Sequence, residues 1–285
     1  MQRVEQRENQ LEFVDFARAH GVVIDYNPPI GQWKRYKTED KPTHRNGAVK
    51  FMGDHGFVQN HATMNEVAIW QCDGDSKINL QEIRKNAAKA ERDIAIAQAK
   101  ASEKAEWILS QCRTTVHPYL EKKGFQDERI NTWKTESGLV AVIPMRIGSK
   151  VVGCQMISES GDKKFLFGQR TSNAQFVFAN GGMDILCEGY ATALSVRHAL
   201  KNAKRPYTLH VCFSAGNLKK VAQNLKSGIV IADNDQSGTG ERVAKEIGWP
   251  YWMSDTIGED ANDYHLRKGI FSLSQGISKL MMGVK

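Results

Sequence analysis

The sequence predicts an α/β protein: a parallel sheet in the C-terminal third, preceded by an α+β segment, a long helix and a small N-terminal α+β module. Three observations carry that reading. Residues 183–270 alternate short apolar runs with stretches of helical period, which calls for parallel strands joined by right-handed crossovers. Residues 79–112 are rich in Ala, Lys, Glu, Arg and Gln and hold neither Gly nor Pro, a strongly helical composition. Finally, Glu188-Gly189 and Asp233-Asn234-Asp235 each stand where an apolar run stops and a helix-like run starts, the edge at which open α/β sheets bind ligands.

The first segment, residues 1–78, opens with a short helix pattern at Leu11, Phe13–Phe16 and Ala19 that Gly21 stops. Strand-like pieces at Gly47–Met52, Gly56–Asn60 and Val67–Trp70 predict a small meander. Between them, Trp33, Lys34, Arg35, Tyr36 and Arg45 alternate ring and base around prolines. Two readings stand: a platform on which single-stranded nucleic acid stacks and is neutralised, or the aromatic core of a small β module. His44 and His61 have no cysteine partners nearby and make poor metal-ligand candidates. Asp73-x-Asp75 reads as a turn into the following helix.

Residues 79–113 form an exposed connecting helix in this reading, because the apolar content is largely alanine and large heptad residues are scarce. In 114–180, His117-Pro118-Tyr119-Leu120 opens a short helix that Gly124 stops. Leu139–Met145 and Lys150–Ile157 then read as a hairpin around Ile147-Gly148-Ser149. From 181 to 285 the pattern gives strands at 183–187, 208–213, 227–232 and near Tyr251, with helices at 190–202, 217–225 and 238–247.

Composition narrows the function. The 285 residues are 41% hydrophobic and 25% charged, enough to bury a real core. A net charge of +7 and a pI near 9.1 suit polyanionic partners, nucleic acid first, or else reflect ordinary weak basicity. Five scattered cysteines with no C-x₂₋₄-C pair exclude a zinc ribbon, and their apolar settings fit reduced thiols in a cytoplasmic protein. No apolar leader and no long apolar run implies a membrane role.

Asp233 and Asp235, two apart at a strand end, place both carboxylates on one side of an extended backbone. Glu188 ends another strand, and if the two strands are neighbours the three acids converge. Carboxylates so gathered repel one another unless a hard cation such as Mg²⁺ sits among them. Gly189, Gly238 and Gly240 allow the tight backbone turns beside them, and Asp260 and Asp263 could add a ligand or an outer contact. The plainer alternative is that these aspartates serve turns and helix N-caps.

With those residues in view, the chain resembles the Toprim domain shared by bacterial primases, topoisomerases and some nucleases. Val142-Ile143-Pro144-Met145-Arg146, Lys150-Val151-Val152-Gly153, Lys163-Lys164-Phe165, Glu188-Gly189-Tyr190, Ser214-Ala215-Gly216 and Gly258–Tyr264 follow the order of the bacterial replicative primases' motifs. His117–Gly124 is similar to a segment of phage and plasmid Toprim primases. The resemblance spans about Thr115–Gly269. It implies that Glu188, Asp233 and Asp235 hold Mg²⁺ or Mn²⁺ for RNA primer synthesis on single-stranded DNA, beside which Asp260 and Asp263 remain candidate further metal ligands. Glu188 has an alternative role as general acid or base. Lys163, Lys164, Arg146 and Arg170 would hold ribonucleoside triphosphate, and Lys122 and Lys123 nucleic acid. Two departures stand out. No zinc ribbon is present to read the template, and little sequence follows the Toprim-like region, which suggests a stand-alone primase or a fragment working beside a separate helicase. A Toprim nuclease and a non-catalytic single-stranded-DNA-binding accessory protein are the competing readings. Topoisomerase is disfavoured for want of room for a nucleophilic-tyrosine domain.

Overall fold

The computed structural model describes residues 2–43, 45–64, 66–72 and 80–283. His44, Asp73 and Asp75 lie outside the described residues. The chain divides into two compact units, Met1–Ala87 and Ala88–Lys285.

In the first unit, α1 (Gln2–Ala19) ends at Gly21, whose φ of +72° turns the chain into the sheet. Strands β1 (Val22–Val23), β2 (Trp33–Thr38), β3 (Gly47–Phe51), β4 (His55–Asn60) and β5 (Ala68–Gln71) form an antiparallel meander in sequence order. Phe13 and Ala17, one helical turn apart, pack on Val22, Tyr36, Val49, Phe51, Val58 and Trp70. Gly56 lies directly beneath the Phe13 ring, where a Cβ would come within 2.3 Å of it. Strand β2 comes from the segment read above as a ring-and-base run. Its period of two buries Tyr36 (1% exposed) and turns Trp33, Arg35 and Lys37 outward. Tyr36 therefore belongs to the core and is not a stacking platform.

The second unit contains most of α2 (Leu80–Ser110). The sequence predicts an exposed connector, but the last turns are packed. Ala101, Ala105 and Ile108 are buried against Val142, Val151, Cys154 and Leu166, and the Ser102 hydroxyl donates to the Val151 carbonyl. The stripe escaped notice because two of its three members are alanines. The sheet under it comprises β6 (Arg113–Thr115), β7 (Ile130–Thr135), β8 (Gly138–Ile147), β9 (Lys150–Ile157) and β10 (Lys163–Phe165), in the order β10-β9-β8-β7-β6. β8 and β9 make the expected hairpin, pairing Ile147 with Lys150 around Gly148 at φ +59°. Along β8 the faces alternate: Val142 meets α2, whereas Ala141, Ile143 and Met145 enter the large core shared with the third sheet.

Between β6 and β7, α3 (Pro118–Lys122) starts with Pro118 at its first position. His117 caps it. Its Nδ1 accepts from the Tyr119 amide at 3.1 Å while Nε2 lies 3.1 Å from the Leu139 carbonyl, an arrangement that suits the Nε2-protonated tautomer.

The third sheet runs through β11 (Phe176–Ala179), β12 (Met183–Cys187), α4 (Tyr190–Asn202), β13 (Tyr207–Val211), α5 (Ala215–Ala222), β14 (Gly228–Ala232), α6 (Thr239–Ile247) and β15 (Tyr251–Met253). Helices α7 (Ala261–Lys268) and α8 (Ile270–Met282) follow. Its strand order is β11-β13-β12-β14-β15, and every pair is parallel except β11 with β13. The expected parallel sheet thus carries an antiparallel edge strand. Its Phe176 and Phe178 turn in to the Tyr190 ring, each at 5.7 Å. Ile185, Cys187, Ile229 and Ile231 face one core together with α4 and α8, while Leu186, Val230 and Ala232 face a second core under α5 and α6. Both faces are covered, as a parallel sheet requires.

Candidate active site

β12 is the central strand, flanked by β13 and β14 in parallel register, with Cys187 opposite both Val211 and Ile231. Residues that leave the carboxyl ends of these strands therefore emerge side by side. Glu188 follows β12 directly and Asp233 follows β14. The chain beyond β14 is pinned by Asn234. Its amide donates to the Glu259 carbonyl at 3.1 Å, and its side chain donates to the Ser254 carbonyl at 3.0 Å. These bonds draw the loop before α7, and with it Asp260, toward Asp233.

The charges at this edge act on one another. Burial pushes the Asp233 carboxyl up to about 7, and the neighbouring Asp260 and Glu188 carboxylates push in the same direction while Lys163 opposes them. Burial also raises Glu188. Lys163 and a hydrogen bond from the Ala215 amide at the start of α5 work against that rise, and Asp235 adds to it. Asp233 Oδ1 is buried and has no hydrogen-bond partner, a costly arrangement for a carboxylate unless a cation or a proton meets it.

Asp235 is placed differently. Its Oδ1 accepts from the Ser237 amide (2.9 Å), the Ser237 hydroxyl and the Thr239 amide (3.1 Å), and its Oδ2 accepts from the Gly240 amide (2.8 Å). These donors hold its carboxyl down to about 2. It serves the N-terminus of α6, the capping role weighed above as the plainer alternative. Asp260 caps α7, accepting from the Asn262 amide (2.7 Å) and the Asp263 amide (2.9 Å), and Asp263 returns the bond to the Asp260 amide at 3.3 Å. Asp263 thus completes a capping box and also meets Lys123 Nζ at 3.4 Å. Among the described residues, no three His, Cys, Asp or Glu side chains are gathered into a ready chelate. What fits a hard cation here is a half-buried pair, Glu188 and Asp233, with one buried and unpartnered oxygen.

Of the expected cations, Lys163 alone acts on both the Glu188 and the Asp233 carboxyls. The period of two along β10 sends Lys164 to the other side, where it lines a cavity with Thr135, Ser158 and Asp162. Phe165, on the same side as Lys163, meets Phe213 edge-on at 6.4 Å and joins this sheet to the acidic edge. Phe213 itself has φ +65°, a strained backbone for a ring-bearing residue, two positions beyond β13. Arg146 is exposed and donates to the Ser149 carbonyl at 2.9 Å, and Arg170 is exposed. Lys122 donates to the Glu159 carbonyl at 2.9 Å. Lys122 and Lys123 are thus tied into the fold at α3, which itself holds α7 through the Lys123 carbonyl and the Asn262 side chain at 2.9 Å. In the N-terminal unit Trp33 is 51% exposed and lines a cavity of about 370 Å³ with Lys34 and Arg35, and Arg45 is exposed.

Sequence reasoning missed Asn234, the middle residue of the acidic triplet, which positions two loops. Its only signal is its place between the aspartates. All five cysteines are free, and no helix among the described residues is long and apolar enough to cross a membrane.

Residues 183–270 match the sequence model of the Toprim domain. Among solved structures, the chain is similar to a DNA primase domain from Pseudomonas aeruginosa at 15% identity and a TM-score of 0.34. The match covers 49% of this chain and 50% of that one.

Proposed function

We propose that the acidic edge of the Toprim-matching sheet catalyses template-directed ribonucleotide polymerisation, making short RNA primers on single-stranded DNA for phage or plasmid replication. Unwinding would fall to a separate helicase in the cytoplasm. The observation that carries this reading is Asp233: a buried carboxyl with an unpartnered oxygen, crowded by Glu188 and Asp260, at the carboxyl edge of a sheet matched by the Toprim family.

Glu188 and Asp233 would hold Mg²⁺ or Mn²⁺, with phosphate oxygens and water supplying the remaining positions, the usual arrangement for Mg²⁺. The ion, when bound, supplies positive charge against the developing negative charge of the transferring phosphoryl group. In the reaction the primer 3′-hydroxyl oxygen bonds to the α-phosphorus of the incoming ribonucleotide, the bond to the β-phosphate oxygen breaks, and pyrophosphate leaves. Lys163 holds the triphosphate by a charge-assisted bond. In its alternative role Glu188, whose carboxyl burial raises, would take the hydroxyl proton in place of holding the ion. Asp235, Asp260 and Asn234 position the loops that carry the site, and Arg146 and Arg170 are exposed cations for the nucleotide's remaining phosphates.

Two observations favour a second reading. Asp235 spends both oxygens on α6, and no three acids form a ready chelate among the described residues. A chain that retains the fold only as a DNA-binding replication accessory would look this way. Incubation with labelled ribonucleotides, Mg²⁺ or Mn²⁺ and single-stranded DNA separates the two. Oligoribonucleotide synthesis is expected, reduced about two to three orders of magnitude in Glu188→Gln. In Lys163→Ala the KM for ribonucleotide is expected to rise about tenfold or more. Degradation of the DNA points to the nuclease, and binding without either reaction points to the accessory protein.

A further inference from the structure

We propose that the outward face of the N-terminal sheet, opposite α1, is a binding surface for single-stranded DNA. The register places Trp33 opposite Lys50, Lys50 opposite Phe57 and Phe57 opposite Ile69. Because side chains directly opposite in a ladder share a face, these four form one row across β2, β3, β4 and β5. The row is about 14 Å long, with strands ~4.8 Å apart.

Its members are open to solvent on the side away from the core. Trp33 is 51% and Ile69 62% exposed, while Lys50 and Phe57 are half-buried. The opposite side chains of the same strands, such as Tyr36, Val49, Val58 and Trp70, are buried under α1. The outward rings therefore contribute nothing to that core. Trp33 and Phe57 lie 6.2 Å apart between ring centroids, so a base can stack on either ring beside the Lys50 stem.

Charge selects the occupant. β2, β3, β4 and β5 contain no Asp or Glu, and Arg35, Lys37 and Lys50 all point to this face. Arg35 also borders the cavity that Trp33, Gln59 and His61 line. A second copy of this chain docked face to face about a two-fold axis would set these cations against themselves. A phosphodiester backbone neutralises them and releases its own counterions. Rings interleaved with cations on an open sheet are what sequence-tolerant single-strand binding needs, since every base has a face to stack. The choice of DNA rests on the proposed polymerase reading, in which the template is single-stranded DNA. The base-stacking surface itself does not depend on it. Tyr36 is not part of the face, whereas Lys50, Phe57 and Ile69 join Trp33 and Arg35.

The test is fluorescence anisotropy with the full chain and a labelled oligodeoxythymidylate, in EDTA and without ribonucleotides. Binding is thereby read apart from any polymerisation at the acidic edge. Trp33→Ala and Phe57→Ala are each expected to weaken binding between about fivefold and a hundredfold. Lys50→Gln is expected to lower the slope of log affinity against log salt by about 0.7. Circular dichroism melting of each variant confirms that it is folded. Should Trp33→Ala melt early, Lys50→Gln on the same face still decides through the salt slope. Undiminished affinity in all three variants would overturn the proposal. So would duplex DNA or the matching RNA binding more tightly than the single-stranded DNA, or a concentration-dependent dimer that Trp33→Ala dissociates.

Discussion

Asp233→Asn is expected to stabilise the metal-free protein by about 4 kcal/mol at pH 8 and by less than about half of that at pH 5. In the folded chain the Asp233 carboxyl keeps its proton up to about pH 7, against an ordinary value near 3.8. Between those values the folded state binds the extra proton, so stability falls as pH rises through the window and is fully lost above 7. Asparagine has no proton to release and escapes the penalty of an ionised, buried group among Glu188 and Asp260. Thermal melting in EDTA from pH 5 to 8 reads the effect directly. The wild-type midpoint is expected to drop relative to the variant, by about 10 °C at the alkaline end. Added Mg²⁺ is expected to restore the wild type and to leave the variant unmoved. Parallel curves for the two proteins would mean that Asp233 titrates normally and that no cation is needed beside it.

Gly240→Ala carries the second large effect, and it acts through the backbone. A Cβ at this position would lie 2.1 Å from the Asp233 carbonyl oxygen, a contact that neither the strand end nor the first turn of α6 can relieve without moving. The same turn donates the Gly240 amide to Asp235. Overpacking of this kind costs about 1–3 kcal/mol or more, and the displaced Asp233 would cost the site its geometry. Chemical denaturation is expected to show a lower midpoint, together with loss of the proposed primer synthesis. Gly238→Ala is the contrast. Gly238 sits at φ +66° with nothing within 4 Å of a built Cβ, so only left-handed strain of about 1–2 kcal/mol opposes it. If both variants behave alike, close packing of α6 on the Asp233 turn is not what holds the site.

The parts of this protein that could be read from the sequence are those in which one physical pattern dominates. Residues 183–270 show their strands because both faces of the sheet are buried, giving runs such as Ile185-Leu186-Cys187 and Ile229-Val230-Ile231 that end in polar residues at the carboxyl edge. The hairpin of β8 and β9 shows itself through Gly148 between two apolar runs. Where two patterns share one signal, the reading stops. Trp33 to Lys37 form a strand whose inner residue Tyr36 fills a core, yet in sequence the ring-and-base alternation suits a nucleic-acid platform and an aromatic core equally. Ala101 and Ala105 bury the end of α2 with side chains too small to mark a face. Asp235, Asp260 and Asp263 share the acidic spacing of a cation site, but their oxygens go to backbone amides of α6 and α7, because helix N-termini and metal ions recruit the same carboxylate. Asp233 differs from them in having an oxygen buried with no partner, and its approach to Glu188 comes from strand order, which no local spacing encodes.

Mn²⁺ binding to the full chain, followed by loss of the free-ion electron paramagnetic resonance signal, addresses the acidic edge without requiring turnover. Saturable binding that Mg²⁺ competes away is expected, abolished in Asp233→Asn and weakened at least about tenfold in Glu188→Gln. Absence of binding in the wild type, or equal binding in both variants, would contradict a cation held between Glu188 and Asp233.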